Sequence, residues 1–283
     1  MANKTGFLTI KAALQQGTKI LEESSVAAPR LTAEVLLSHA VNKERIHLYS
    51  HFDDELSESS WIHFGRYLHQ RSGGLPTQYI TRRQEFYGRE FLVSRDVLIP
   101  RPETELVAQA AIDRLHEGDT VVDIGCGSGA LAITIALEKR VIMFASDISF
   151  KALSIARENA IRLNALVAFL GGDLLCPFAP GSLNMVVSNP PYVGWNERDG
   201  IQREVLEHEP HVALFGGETG NEIYAPLIRQ ASAALHPGGW LVLELGWRSL
   251  DAVRAMLDAS WTEVEEHGDF SGIPRAITAR RAK

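Results

Sequence analysis

Apolar residues recur every three or four positions through about the first 72 residues, with polar residues between them. That spacing places apolar side chains on one face of each successive helix. The apolar faces are Ile10, Ala13, Leu14, Gly17, Ile20 and Leu21, then Ala33, Leu36, Leu37 and Ala40, then Trp61, Phe64 and Leu68. Residues 72–76, Ser-Gly-Gly-Leu-Pro, are the first strong break. We therefore predict a small helical-bundle domain over residues 1–75.

The pattern changes between residues 76 and 100, where strand-forming residues become frequent. Residues 78–81 and 86–93 are rich in aromatic and β-branched side chains, and Gly88 lies among the aromatic residues. We predict that residues 76–100 form a β-hairpin linker. The Pro-Arg-Pro-Glu-Thr-Glu segment at 100–105 predicts the start of a helix that runs to about His116, because proline and acidic residues suit the first turn.

Strand-like and helix-like segments alternate from residue 119 onward. Strands are predicted near residues 120–124, 141–146, 166–170, 184–188, 240–245, 262–265 and 275–279. Helices are predicted near residues 130–138, 149–162, 221–235 and 249–259. This alternation predicts an α/β domain over residues 101–283, with a mainly parallel sheet covered on both faces. Ligands of such sheets bind at the carboxyl ends of the strands.

The composition is typical of a soluble globular protein. Of the 283 residues, 45% are apolar and 22% are charged, and no apolar run approaches the length of a membrane span. Residues 1–5 lack the apolar core of a secretion signal, so we expect a cytoplasmic protein. Cys126 and Cys176 are too few for a disulfide framework and lack the spacing of metal ligands, so no metal is expected.

The net charge of −7 is shared unevenly along the chain. Residues 1–85 hold 10 basic and 9 acidic side chains, whereas residues 86–283 hold 18 basic and 26 acidic ones. An enzyme that binds a nucleic acid duplex usually carries a basic face. The acidic second part therefore favours a protein or small-molecule substrate, and no direct nucleic acid partner is expected.

A glycine-rich loop joins the strand at 120–124 to the helix at 130–138. The loop consists of Gly125, Cys126, Gly127, Ser128 and Gly129. A glycine turn between strand and helix lets a ligand approach backbone N–H groups at the helix N-terminus. Asp147, at the end of the next strand, suits ribose hydroxyls. The first two glycines and Ala130 also fit a dinucleotide fingerprint, whereas the third glycine and Asp123 favour a nucleoside cofactor without a pyrophosphate.

The most informative stretch is Asn189-Pro190-Pro191-Tyr192, which follows the apolar run at 185–187. Proline has no N–H, so this turn offers carbonyl acceptors without matching donors. Tyr192 supplies a flat aromatic face. A planar group with an NH2 suits such a turn, because its two N–H bonds meet two oxygens. The turn therefore favours methyl transfer to a planar nitrogen over nicotinamide chemistry.

Further stretches match one family pattern over nearly the whole chain. They are Phe86-Tyr87-Gly88 with Phe91, residues 97–105, 123–130, 146–149 and 188–192, Glu209-Pro210, Gly216-Gly217, residues 237–239 with Glu244, and Asp269, Gly272 and Arg275. In these stretches the sequence resembles the HemK/PrmC family, S-adenosylmethionine-dependent enzymes that methylate the side-chain nitrogen of a glutamine in peptide chain release factors. DNA adenine methyltransferases share the turn at 189–192, but the segment at 100–105 and the helical N-terminal domain are more specific.

The resemblance implies a class I (Rossmann-like) methyltransferase domain behind the helical domain. It implies that residues 125–129 contact the amino-acid end and ribose of S-adenosylmethionine. Asp147 with Ile148 would bind the ribose side, and Asp173 with Leu174 would border the adenine. The helical domain would dock class I release factors and present their Gly-Gly-Gln loop. We expect a monomer.

The four residues of the turn carry the proposed chemistry. The side-chain oxygen of Asn189 and the backbone oxygen of Pro190 would accept hydrogen bonds from the two N–H groups of the glutamine amide. Pro191 would complete the substrate site, Tyr192 would stack on the amide plane, and Asn189 would also border the cofactor. No general base is assigned, because the methylated amide cation is acidic enough to lose its proton afterwards.

Three other functions remain open from the residues. An adenine-N6 DNA or RNA methyltransferase uses the same turn on a flipped base. A nicotinamide-dependent oxidoreductase is supported only by the glycine loop and Asp147. A cofactor-binding domain without activity is the third, and the intact turn argues against it.

Overall fold

The computed structural model describes residues 8–283, and residues 1–7, which include the segment assessed for a secretion signal, lie outside the described residues. The α-helices of the described part are α1 (Ile10–Glu23), α2 (Pro29–Val41), α3 (Arg45–Ser50), α4 (Glu58–Ser72), α5 (Thr77–Thr81), α6 (Thr104–Ile112), α7 (Ala130–Glu138), α8 (Phe150–Leu163), α9 (Arg203–His208), α10 (His211–Leu214), α11 (Tyr224–Ala234) and α12 (Leu250–Met256). The strands are β1 (Arg83–Phe86), β2 (Arg89–Leu92), β3 (Thr120–Ile124), β4 (Ile142–Asp147), β5 (Val167–Gly171), β6 (Leu183–Ser188), β7 (Val193–Gly194), β8 (Phe215–Gly217), β9 (Leu235–Glu244), β10 (Trp261–Gly268) and β11 (Pro274–Arg281). A 3₁₀ helix spans Trp195–Gly200.

The chain divides into two compact units. The first comprises the chain up to Arg82 together with Arg203–His208, and the second comprises Arg83–Gln202 and Glu209–Lys283. No helix within residues 8–283 combines the length and the apolarity needed to cross a membrane.

The first unit is a bundle in which α1, α2 and α4 pack against one another. Most residues of the predicted apolar faces are buried, including Leu14, Leu36 and Phe64, which have no exposed surface. Gly17 lets α1 pack closely against Phe64 of α4, because a Cβ at position 17 would lie 2.5 Å from Cζ of Phe64. α9 belongs to this unit through an ion pair of 2.5 Å between Arg71 and Glu204.

The strand prediction for residues 78–81 is wrong, because these residues lie in helix α5. Tyr79, Ile80 and Thr81 are all buried, whereas a strand would turn alternate side chains outward. The helical turn packs against α2 and α4, so tertiary contacts override the local preference. Antiparallel β1 and β2 form a hairpin instead, and its two turn residues, Tyr87 and Gly88, have positive φ.

The second unit is built around a seven-stranded sheet in the order β10-β11-β9-β6-β3-β4-β5. β9, β6, β3, β4 and β5 run parallel, and β11 and β10 extend the β9 edge antiparallel. The predicted helices and strands of this part are present with shifts at their ends. The helix predicted to run to about His116 is shorter. It corresponds to α6, which ends at Ile112.

Alternate residues of the central strands enter two apolar cores. Val121, Val187 and Val242 pack toward α6, α7 and α8, whereas their chain neighbours Val122 and Val186 pack toward α11 and α12. Both faces of the sheet are therefore covered, as the runs of consecutive apolar residues predict. The carboxyl ends of the strands and the loops that follow them remain open to a ligand.

Candidate functional site

The predicted site residues follow strand ends that lie side by side. Ile124 at the end of β3 is in register with Ser146 of β4 and with Ser188 of β6. The residues that come next along these strands are Gly125, Asp147 and Asn189. β3 and β6 flank the point where the strand order reverses, which is where open α/β sheets bind their ligands.

A cavity of about 230 Å³ opens at this edge, and residues of the second unit line it. The predicted site residues that line it are Gly125, Cys126, Gly127, Ser128, Asp147, Ile148, Asp173, Leu174, Asn189, Pro190 and Pro191. Gly129 and Tyr192 are not among the lining residues. The structure thus brings both predicted motifs to one cavity.

The first two glycines of the loop leave room for a ligand. Gly125 and Gly127 have φ values of 72° and 54°, and a Cβ on either would meet no atom within 4 Å. Such a backbone disfavours any side chain and leaves the cavity open. Gly129 differs, because a Cβ there would lie 2.9 Å from Ile133 and 3.1 Å from Ala156, so it permits close packing of α7 and α8.

The Asp147 carboxylate is held by two backbone donors. Oδ2 accepts a hydrogen bond from the N–H of Gly127 at 2.9 Å, and Oδ1 accepts one from the N–H of Ser149 at 2.8 Å. A carboxylate oxygen can accept more than one hydrogen bond. Asp147 can therefore hold the loop and still accept from ligand hydroxyl groups.

Asp123 places a second carboxyl group at the base of the cavity. It is 1% exposed, and Oδ2 accepts from the backbone N–H of Ala132 at 3.2 Å, while Oδ1 has no hydrogen-bond partner. Burial, together with the nearby charge of Asp147, raises its pKa to about 7. A cationic or N–H-bearing ligand would satisfy this buried oxygen.

The Asn189 side chain has one partner, the hydroxyl of Thr104. Its Nδ2 donates to Thr104 Oγ1 at 3.1 Å. Thr104 is the first residue of α6, is 4% exposed and also lines the cavity. The amide oxygen of Asn189 makes none of the described hydrogen bonds and is the acceptor available to a ligand.

Glu244, the last residue of β9, accepts hydrogen bonds from two tyrosine hydroxyls. The Tyr192 hydroxyl donates to Oε1 at 3.2 Å, and the Tyr224 hydroxyl donates to the backbone oxygen of Glu244 at 2.9 Å. Burial raises the pKa of Glu244 to about 7, and hydrogen bonding from Thr104 and Tyr192 opposes the rise. Burial also raises the pKa of the Tyr192 phenol, so this hydroxyl stays a donor.

A neighbouring segment closes on the backbone of the turn. A Cβ at Gly216 would lie 2.2 Å from the backbone oxygen of Pro191, and a Cβ at Gly220 would lie 2.2 Å from that of Tyr192. Only glycine permits this approach. The segment around β8 thus packs directly against the backbone of the turn at 189–192.

Buried Glu209 anchors the start of another lining segment. It is 3% exposed, Oε1 pairs with Arg101 at 2.5 Å, and Oε2 accepts from the backbone N–H of Ile99 at 3.2 Å. Pro210, Val212 and Ala213, which follow it, line the cavity. The sequence patterns assigned no role to Thr104, Arg101 or Glu209, although all three lie in the family-like stretches at 97–105 and 209–210.

Within residues 8–283, no three His, Cys, Asp or Glu side chains come together as a metal site requires. Cys126 is buried and Cys176 is exposed, and neither forms a disulfide. Burial raises the pKa of the Cys126 thiol well above its usual range, which keeps it protonated. The loop cysteine is therefore a small packed residue.

Comparisons with known proteins match both parts of the chain. A family model described as the PrmC N-terminal domain matches residues 12–81. A second model, described as the methyltransferase small domain, matches residues 103–219. The two matches cover the helical bundle and the part of the second unit that contains the glycine loop and the turn at 189–192.

Curated relatives match along nearly their whole length. Release factor glutamine methyltransferase of Koribacter versatilis is 43% identical over 278 residues, with 97% of this chain and 99% of the relative covered. That of Nitratidesulfovibrio vulgaris is 38% identical over 285 residues, covering 98% and 97%. A crystal structure of a methyltransferase from Pyrococcus furiosus superposes with a TM-score of 0.55 at 18% identity, covering 70% of this chain and 91% of that one, which shows the fold alone.

Proposed function

The chain belongs to the release factor glutamine methyltransferase family, and we propose that it transfers a methyl group from S-adenosylmethionine to the side-chain amide nitrogen (N5) of the glutamine in the Gly-Gly-Gln motif of release factors. The second unit has the class I methyltransferase fold. The observation that carries the proposal is the shared cavity, in which an acceptor-rich turn faces a glycine loop that can hold a nucleoside.

The residues of the cavity fit S-adenosylmethionine. Open space above Gly125 and Gly127 leaves room for the ligand, and the unpartnered Oδ1 of Asp123 would accept from an ammonium group. Asp147 would accept from ribose hydroxyls, and Asp173 with Leu174 would border the adenine. When bound, the cofactor supplies a methyl group on a positively charged sulfur.

The turn at 189–192 would bind the glutamine carboxamide. An amide nitrogen is a poor nucleophile, because its lone pair is delocalised into the carbonyl group. Asn189 Oδ1 and the backbone oxygen of Pro190 would each accept a hydrogen bond from the amide NH2. These two contacts would orient the nitrogen and favour its pyramidal form. Loss of one such contact in a dry site costs about 2–4 kcal/mol of barrier, by analogy with an oxyanion-hole donor.

Tyr192 would contribute in a second way. We propose that its ring supports the substrate amide, although its hydroxyl bonds to Glu244 and its ring packs near Gly246. Pro191, which lines the cavity, would complete the substrate surface. No residue is assigned as a base, since the methylated nitrogen releases its proton readily once formed.

A labelled-acceptor assay tests the proposal. The chain is incubated with methyl-labelled S-adenosylmethionine and one of three acceptors: a release factor, the same factor with the glutamine of Gly-Gly-Gln replaced by alanine, or duplex DNA. Label is expected only in the intact factor, on the glutamine nitrogen, as located by fragmentation mass spectrometry. Label in DNA would favour the adenine-N6 alternative, and absence of label in all three would contradict methyl transfer to a release factor or to duplex DNA.

We further propose that the helical unit docks the release factor. Its surface exposes apolar side chains that could serve this purpose, including Ile46 at 70% and Ile62 at 59%. Ile46→Asp and Ile62→Asp should raise KM for an intact release factor and leave turnover of a short Gly-Gly-Gln peptide unchanged. Ile161→Asp, at a 78% exposed position of the second unit, is the matched control. Equal KM values for all three variants and the wild type would favour a purely structural role.

One chain is proposed to suffice for this reaction. Residues of a single chain line the described cavity, so a monomer can hold both the cofactor and the substrate amide. Release factors act in translation, so we propose a cytoplasmic enzyme whose partner is a protein rather than a nucleic acid. The acidic charge of residues 86–283 supports that choice.

A further inference from the structure

An asparagine amide can point either of two similar ends toward a ligand. One end is an acceptor oxygen, and the other is an NH2 group that only donates. The proposed reaction needs the oxygen of Asn189 to face the substrate, because the substrate nitrogen brings two N–H bonds of its own. If the Asn189 amide were flipped, its NH2 group would face the NH2 group of the substrate, and neither could accept a hydrogen bond. The active site therefore needs a device that fixes the orientation of this amide.

Thr104 alone cannot select the orientation. Its hydroxyl lies 3.1 Å from Asn189 Nδ2, but a hydroxyl can donate to an amide oxygen as readily as it accepts from an amide nitrogen. The choice depends on where the hydroxyl proton of Thr104 is directed. That proton needs an acceptor other than Asn189.

Glu244 supplies the acceptor. Its carboxyl group is 1% exposed, and Oε1 accepts from the Tyr192 hydroxyl at 3.2 Å. Oε2 is buried and has no partner among the hydrogen bonds of the described residues. Hydrogen bonding from the Thr104 hydroxyl opposes the rise in the pKa of this carboxyl, so Oε2 is the acceptor left for the Thr104 proton. With its proton directed to Glu244, Thr104 presents only lone pairs to Asn189. A neutral Glu244 plays the same part when its proton lies on the oxygen next to Tyr192, because the other oxygen then remains an acceptor.

We propose that Thr104 and Glu244 act as positioning residues that turn the Asn189 amide oxygen toward the substrate, an inference that rests on the methyl transfer proposed above. Neither residue need touch the reacting atoms. Both are closed off from solvent at 4% and 1% exposure, so water cannot readily take over the contact. The hydroxyl of Thr104 is thus required, whereas its methyl group is not.

Replacement of the Thr104 hydroxyl tests the inference. Thr104→Val should lower kcat on release factor about 10- to 100-fold. KM for the release factor and Kd for S-adenosylhomocysteine should stay within about twofold of the wild-type values, because Asn189 would lose its orientation and not its place. Thr104→Ser keeps the hydroxyl and should retain kcat within about threefold.

Thr134→Val is the matched control. Thr134 is fully buried in α7, its hydroxyl has no partner, and it does not line the cavity, so the same exchange there should leave kcat unchanged. If Thr104→Val lowers the melting temperature by more than about 5 °C, Thr104→Ala provides a second hydroxyl-free variant with the same expected fall.

A double-mutant cycle separates positioning from general damage. In an Asn189→Ala background, Thr104→Val should change kcat less than about twofold, because the amide that it orients is already gone. An unchanged kcat in the single variant, an equal fall in Thr104→Ser, or a full further fall in the Asn189→Ala background would each overturn the inference. Failure of the proposed function is distinct, since the wild-type chain would then leave release factor unmethylated.

Discussion

The Asp147 carboxylate accepts a hydrogen bond from the backbone N–H of Gly127, 2.9 Å away in the glycine loop. Strand β4 thereby holds the loop that follows its neighbour β3. The same carboxylate also accepts from the N–H of Ser149 at the start of α8. One side chain at the proposed ribose position thus organises the backbone on both sides of the cavity.

Asp147→Ala should weaken cofactor binding about 10- to 100-fold, because both the proposed ribose contact and the hold on Gly127 are lost. Titration calorimetry with S-adenosylhomocysteine measures the change in Kd. Asp251→Ala, at an exposed position of α12, is a control that should bind normally. Unchanged affinity in Asp147→Ala would remove Asp147 from the cofactor site.

Asn189→Ala should lower kcat about 30- to 1000-fold, because one of the two proposed acceptors for the substrate amide is lost. Cofactor affinity should change little, since Asp147 and the glycine loop remain. Single-turnover methylation of release factor, with calorimetry on the same preparation, separates the two effects. Wild-type turnover in this variant would exclude the proposed hydrogen bond.

The pKa of Glu244 predicts how the stability of the folded chain depends on pH. The folded chain keeps a proton on Glu244 up to about pH 7, whereas the usual pKa of 4.5 lets the unfolded chain release it earlier. The stabilisation is complete below pH 4.5 and is lost as the pH rises toward 7. The carboxyl of Glu103 adds to the rise in the pKa, and Arg275 opposes it.

Glu244→Gln cannot ionise and should therefore escape this loss. The melting temperature of Glu244→Gln minus that of the wild type should increase between pH 5 and pH 8, as measured by circular dichroism. Asp123 titrates in the same range in both proteins, so its contribution cancels in the difference. A difference that stays flat across this range would show that Glu244 is ionised throughout.

Replacing either of two helical glycines of the first unit by alanine should change the free energy of unfolding, in opposite directions at the two positions. Gly17→Ala places a methyl group 2.5 Å from the ring of Phe64, and we expect it to lower the free energy of unfolding by about 1–3 kcal/mol. Gly65 lies at an exposed position of α4, and a Cβ there meets no atom within 4 Å, so Gly65→Ala should raise that free energy by up to about 1 kcal/mol. Thermal unfolding compares the two, and the same sign in both would contradict the packing of α1 on α4.

Local sequence patterns predicted the architecture well where they reported burial directly. The runs of consecutive apolar residues in β3 and β6 require cover on both faces of a sheet, and both faces are covered. The pattern failed at Tyr79 and Ile80, whose strand preference is overridden by packing of α5 against α2 and α4. A five-residue segment has too few positions for its spacing to distinguish a helix from a strand.

By itself, the sequence determined that Gly125, Asp147 and Asn189 lie at the carboxyl ends of strands, because the alternation of strands and helices predicts a parallel sheet that brings those ends to one edge. Only the tertiary structure decided which partner each side chain meets there. Asn189 bonds to Thr104, 85 positions earlier, and Tyr192 bonds to Glu244, 52 positions later. Strand periodicity is a local property of the chain, whereas a hydrogen bond between residues far apart in sequence depends on how distant segments pack, and no local pattern encodes that.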